Sequence, residues 1–342
     1  MGYIYVPDLE LNQILLLANS FLVPTDGEII TIDFSEVRTF DPLPMLMTGS
    51  LLRRYRKKYP STQFRITGHK RSSTSYAGTM GYFKYISENI HYGKFPGEAL
   101  GSVNYIPITN IRLKELQDDA LRSGGSLAIG DIIEKEASRL SRVVDRGNPE
   151  LHKLLTYLIR EILRNTPEHA DILDMWICGQ YWPSYHLAEI AIIDEGIGVF
   201  RSLSRNHVHT EYVKTNLDAL KWSLKAGISD AFRPDCKPNL YDMDVWSNSG
   251  FGLYMVQNIC KKLNGSFCLI SGEDAVLVDN HGIKYKKALY SGTAIRIRVP
   301  TDHISNAQAI IDEIAGQGEK EASMIRNAYK QASTPSKGLI TC

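Results

Sequence analysis

Between residues 151 and 163 apolar side chains return at Leu151, Leu154, Leu155, Leu158, Ile159, Ile162 and Leu163. That i, i+3, i+4, i+7 spacing predicts an amphipathic helix, with Pro149 near its start and Pro167 at its expected end. Residues 187–194 (LAEIAIID) instead form a short, almost continuous apolar run, the pattern of a buried strand. Residues 292–300 (GTAIRIRVP) alternate apolar and charged side chains, the pattern of a half-exposed strand. Further helices are expected over 129–144 and 253–263, and further strands over 103–108, 175–181, 264–271 and 283–289. Together they predict an α+β domain over 125–302, a mixed sheet covered by helices on one face. The first 90 residues read as a smaller α/β domain, with strands over 2–6, 28–34 and 62–67 alternating with helices over 8–21, 42–59 and 75–86. Between the two, 91–124 is a linker punctuated by Gly93, Pro96, Gly97, Gly101 and Gly124-Gly125, with a helix over 112–122; its strand suits either side. The extension 303–342 carries a mostly polar helix over 304–331 and ends in a frayed tail at Thr334-Pro-Ser-Lys-Gly.

Candidate chemistry concentrates in four segments of the larger domain. Glu161 and Asn165 stand four apart, hence on one helix face. A carboxylate and an amide oxygen one turn apart suit a metal-assisted phosphoryl site, the Glu taking a proton from water and the Asn offering a hard oxygen to Mg²⁺; two solvated residues near a helix end would look the same. Asp194 ends its strand at a turn bearing Gly196 and Gly198, where it can accept a hydrogen bond from an exocyclic amine or merely make an Asp/Gly turn. Gly250, Phe251, Gly252 and Leu253 open the 253–263 helix, whose first amides are free to face an anion. Thr293 begins the alternating strand.

These segments, in this order, resemble the N, G1, G2 and G3 boxes of the GHKL ATPases, the superfamily of gyrase, MutL, histidine kinases and anti-sigma-factor kinases. The Glu-x-x-x-Asn-x-x-x-His-Ala form of the first, Glu161 to Ala170, is most similar to the anti-sigma-factor kinases. The resemblance spans roughly residues 125 to 300. It implies ATP and Mg²⁺ as ligands, Glu161 as catalytic base, Asn165 as the Mg²⁺ ligand and Asp194 as the adenine contact. Gly196, Gly198, Gly250 and Gly252 then serve as hinge and phosphate-loop glycines, with Phe251 and Leu253 beside them and Thr293 supporting the adenine end. It also makes 199–249 an ATP lid, from which Lys221, Lys225 or Arg233 reaches the phosphates. Pro167 departs from the box. Residues 1–90 resemble the STAS family, which includes anti-sigma-factor antagonists, but Asp41-Pro42-Leu43-Pro44 replaces the stretch bearing that family's phosphorylated serine.

Composition narrows the setting. Among 342 residues, 39 Lys and Arg balance 38 Asp and Glu, so no global field points to nucleic acid or a membrane. One basic cluster, Arg53, Arg54, Arg56, Lys57 and Lys58 with His69, Lys70 and Arg71, reads as a solvated helix face and leaves nucleic acid open without indicating it. Five cysteines without CxxC spacing (Cys178, Cys236, Cys260, Cys268, Cys342) read as reduced core thiols, and no signal or spanning segment appears, so a cytoplasmic protein is expected. His207 and His209 read as solvated lid residues. GxxxxGK[ST], HExxH and GxSxG are absent. The expected function is an ATP-hydrolysing switch acting on a protein partner, with homodimerisation open. Its alternatives are a serine/threonine kinase of the anti-sigma-factor type and a non-hydrolysing ATP sensor.

Overall fold

The structure, a computed structural model, describes residues 2–17, 28–112, 115, 118, 129–169, 174–232, 249–302 and 304–338. Most of the helix expected over 112–122, with Gly124-Gly125, Arg233, Cys236 and Cys342, lies outside them.

The chain begins with three parallel strands, β1 (Gly2–Tyr5), β2 (Ile29–Asp33) and β3 (Gln63–Thr67), ordered β1-β2-β3. The segments between them carry α1 (Leu11–Leu17) and α2 (Pro42–Lys58). The helix expected over 75–86 is two, α3 (Ser75–Thr79) and α4 (Tyr82–Ile86), because Gly81 sits between them at φ +86°.

The second sheet holds β4 (Tyr105–Arg112), β5 (Asp174–Trp182), β6 (Leu187–Asp194), β7 (Ser266–Asp279) and β8 (Gly282–Pro300), ordered β4-β5-β6-β8-β7. Every neighbouring pair is antiparallel, which corrects the expectation of a mixed sheet. The reason is topological. A helical excursion returns the chain from β6 to β7 in the same direction, but β8 fills the gap between them and runs against both. The strands expected over 283–289 and 292–299 are one strand, β8, paired along its length with β7 through register shifts near Gly272.

Alternation along these strands feeds two cores. Ile177, Ile190, Ile192, Phe267, Leu269 and Ile295 face a core shared with α5 (Ile129–Ser141), α6 (Pro149–His169) and α9 (Gly252–Lys262). Their neighbours Cys178, Ala191, Ile193, Cys268, Ile270 and Ala294 face the other way and join the core of the first 90 residues. Several of those are small, which lets a helix come close.

That helix is α2, which contacts β5, β6 and β8. Every residue from Pro42 to Ser50 is buried, as a helix covered on all sides requires. Cross-strand partners Glu189 and Arg298 anchor its start: Arg298 binds Glu189 and reaches Asp41 at 3.2 Å, while Cys178 Sγ donates to the Pro42 carbonyl at 3.3 Å. The two expected domains therefore share a core, and the stretch beginning at Asp41 is packed against the second sheet. Burial, with Glu189 nearby, raises the Asp41 carboxyl to about 6 even against Arg298.

A single calorimetric transition is expected for the whole chain, and fragment 91–342 should aggregate because the Ile193, Ile270 and Ala294 face loses its cover. Two separate transitions, or a soluble folded fragment, would show that the shared core is not cooperative.

Candidate functional site

Helix α6 starts on Asn148, whose side chain accepts from the amides of Glu150 and Leu151, and it continues through Pro167 to His169. Pro167 therefore does not end it, a correction to the expected boundary. Glu161 is buried and its carboxylate is not solvated. Its Oε1 accepts from Arg160 at 3.2 and 3.3 Å and from Arg164 at 3.3 Å, and Arg160 turns its other arm to Glu134 on α5 at 3.0 Å. Burial pushes the Glu134 carboxyl above its ordinary range in spite of Arg160. Arg160, Arg164 and Glu134 were not singled out from sequence. Arg160 lies off the apolar stripe, and what buries it comes from residues 26 and 175 positions away.

Asn165 lies one turn beyond and lines a cavity of about 670 Å³, open solvent at its mouth included. The glycine segments frame the same space. A Cβ on Gly252 would stand 3.2 Å from both Glu161 Oε2 and Asn165 Nδ2, so this glycine leaves open a cradle that brings carboxylate, amide and the start of α9 together. Gly250 has φ +73°, and a side chain there would strike the backbone of Ile228. Leu253 lines the cavity, whereas Phe251 turns into the core and meets Tyr254 edge to face.

At the far end, register does the work. Asp194 pairs with Thr293 across β6 and β8, and Thr293 pairs with Ser271 across β8 and β7, so the three stand in one row. Asp194 Oδ1 accepts from the amides of Gly196 at 2.8 Å and Thr293 at 3.2 Å. Asp194, Thr293 and Gly198 all line the cavity, while Gly196 contributes its amide and borders a neighbouring cleft. Ser271, missed from sequence, donates to the Gly292 carbonyl at 2.6 Å and accepts from the Val199 amide at 3.0 Å. Burial raises the Asp194 carboxyl to about 6 despite those amide donors.

The next residue ties this turn to α2. Glu195 accepts from Ser50 Oγ at 2.6 Å and binds Arg53, whose guanidinium lies over Tyr85 and Trp176 at 4.5 and 4.8 Å. Arg54 donates to the Ser291 carbonyl at 2.6 Å, and Tyr290 donates to the Asp194 carbonyl at 3.0 Å. The basic run is thus partly spent inside the molecule, which corrects the reading of a solvated face.

As far as it is described, the expected lid is helical where a loop was expected. Its described part forms α7 (Gly198–Ser204) and α8 (Asn216–Ser223), the latter started by a reciprocal Thr215 and Asp218 capping box, over a small core of Leu203, Val213, Ala219, Trp222 and Ile228. His209 is buried, bonded to the Ser229 carbonyl and the Trp222 indole, so it is a packing histidine. Lys221 lies over Tyr285 and Lys225 over Trp222, and neither lines the cavity. Ser202, bonded to Asp230 at 2.8 Å, closes this wall.

Among the described residues no three His, Cys, Asp or Glu side chains converge as a metal site. The residues present do fit Mg²⁺ held by one amide oxygen together with substrate phosphates and water, since Asn165 opens onto the cradle at Gly252. No family model, no curated protein and no solved structure matches this chain.

Two outcomes follow from these charges. Asp194→Asn keeps an oxygen for the Gly196 and Thr293 amides and removes a buried charge. The raised pKa means that the wild-type carboxyl is accommodated best below its unfolded value near 4 and that this contribution is lost as pH rises through about 6. The variant should therefore be more stable than wild type by on the order of 1–3 kcal/mol at pH 8, with the gap closing toward pH 4, as urea titrations would read. Arg160→Met should cost about 3–5 kcal/mol in the same assay, because Glu134 and Glu161 stay buried without their shared partner, and Arg160→Lys should not restore it because one ammonium cannot span both acids.

Proposed function

We propose that this chain is an Mg²⁺-dependent ATP-binding and ATP-hydrolysing switch of the GHKL type. The observation that carries the reading is convergence. Residues 161–165, 194–198, 250–253 and 293, each unremarkable alone and spread over more than 130 positions, border one cavity or touch the residues that do. Polarity within it suits a nucleotide. An acceptor in a largely apolar wall, Asp194, fits the exocyclic amine of adenine, and the α9 amides with Asn165 fit the phosphate end.

In this reading Glu161 is the base. With Oε1 held by two guanidiniums, Oε2 is the oxygen that accepts the proton of attacking water. The arginines fix its direction. Bound Mg²⁺ would neutralise charge across the phosphates, with Asn165 as its protein ligand. The helical wall α7 to α8 would shift on binding and exclude water.

The protein partner belongs to the proposal as well. Strand β1 is a sheet edge carrying Tyr3 and Tyr5, stacked on one another and exposed, which offers an incoming chain both hydrogen-bonding groups and apolar surface. No helix among the described residues is long and apolar enough to cross a membrane. A second reading, phosphoryl transfer to a protein hydroxyl, is favoured by the hydroxyl of Ser336, which sits on the Glu161 carboxylate itself.

The deciding experiment follows γ-labelled ATP with Mg²⁺. Wild type should release free phosphate, Glu161→Gln should bind ATP but turn over roughly 100-fold more slowly or worse, and Asp194→Asn should bind about 10- to 100-fold more weakly, since an amide N–H replaces an acceptor. Label retained on the protein would establish the second reading, binding with neither free phosphate nor protein-bound label in wild type would leave only the sensor reading, and absence of binding would defeat the nucleotide site altogether.

A further inference from the structure

The stretch expected to fray is docked. After α10 (Ala307–Met324) the chain returns to α6 and forms a single turn, α11 (Thr334–Lys337), in which Pro335 and Ser336 are buried. Four backbone groups fasten it. The Ser333 amide donates to Ser249 Oγ at 2.9 Å, beside Gly250; Tyr157 donates to the Ser336 carbonyl at 2.9 Å; and Arg160 donates to the carbonyls of Pro335 and Gly338. None of these contacts uses the Ser336 side chain. Its hydroxyl, on a residue only 2 % exposed, donates to Glu161 Oε2 at 3.1 Å.

That placement has a chemical consequence. Oε1 of Glu161 is taken by arginines, and Oε2 is the atom that faces the Gly252 cradle and Asn165. A base does not distinguish the O–H of water from that of an alcohol. Whichever hydroxyl it holds is the one it activates.

Resting on the assignment of Glu161 as base, we propose that Ser336 is a phosphoacceptor in cis, receiving the γ-phosphoryl group of a nucleoside triphosphate bound in the adjoining cavity. The proton of the hydroxyl passes to Glu161, the Ser336 Oγ–phosphorus bond forms, and the bond from phosphorus to the β,γ-bridging oxygen breaks. Nucleoside diphosphate leaves with that electron pair, and Glu161 later returns its proton to solvent. Apart from the nucleotide no further reactant is consumed. Because the backbone contacts hold the segment without the hydroxyl, its loss need not undock the turn.

The test incubates the full chain with γ-labelled ATP and Mg²⁺, separates free from protein-bound label, and maps the latter by mass spectrometry. Label should appear on the peptide carrying Ser336, approach stoichiometry, and form at a rate unchanged by dilution of the protein. Ser336→Ala should abolish it while ATP affinity and a cooperative thermal transition are kept, Ser336→Thr should retain it, and Glu161→Gln should slow it roughly 100-fold. Free phosphate without protein label would overturn the proposal and leave the hydrolase reading standing. Label mapped elsewhere would overturn it too, and failure of wild type to bind ATP would end both.

Discussion

The constraint on which the larger core depends is the buried carboxylate of Glu161. An unpaired charge at this depth costs several kcal/mol, so it is tolerable only if its counter-charges are buried with it. Arg160 meets that need and creates another, since a fully buried guanidinium has five donors to satisfy. Glu134 takes one arm, and the carbonyls of Pro335 and Gly338 take what Glu161 leaves. One charge on α6 thereby fixes α5 and the 333–338 segment against the same helix. The arrangement holds the carboxylate rigidly, Oε1 on the two arginines and Oε2 on the Ser336 hydroxyl.

The sheet imposes the second constraint. Both of its faces are covered, one by helices of its own half and the other by α2, and period-two alternation keeps the two sets of side chains apart. The cysteines belong to this economy. Cys178 and Cys268 are small apolar fillers on the face that α2 approaches, and burial pushes the Cys268 thiol up to about 11, far from reactivity.

Much of this was legible in the residues. Leu151 to Leu163 predicted α6 because seven positions repeat on one stripe, and Asp194 and Thr293 stood out because strand ends and glycine turns carry strong local signals. Helix α2, predicted over 42–59, was found over Pro42–Lys58, yet nothing local said that it would lie against a second sheet. Sheet polarity was misjudged because it depends on where β8 inserts, a long-range fact. Arg160, Glu134, Ser271 and Ser336 escaped for the same reason: each draws its meaning from a partner remote in sequence. Even Pro167, read locally as a stop, is carried within α6 as far as His169.

The same remoteness governs how the two halves are joined. Asp194 lines the cavity, and its neighbour Glu195 is held by Ser50 and Arg53 of α2, so one dipeptide connects the cavity wall to the first ninety residues. The turn is gripped a second time through Tyr290, whose hydroxyl donates to the Asp194 carbonyl and lies 3.3 Å from Ser50 Oγ. A ligand shifts a protein only insofar as it binds two arrangements unequally. Here the inequality has a site to act on, because a ligand drawing on the Asp194 side chain and α2 drawing on the Glu195 side chain would load the same few backbone bonds. By linkage the effect would run both ways, so whatever engages the first ninety residues and displaces α2 would alter the affinity of a ligand in the cavity by the factor with which that ligand alters the engagement. A shared core between α2 and the sheet would make such a displacement costly and therefore discrete, an all-or-none change in place of a gradual strain.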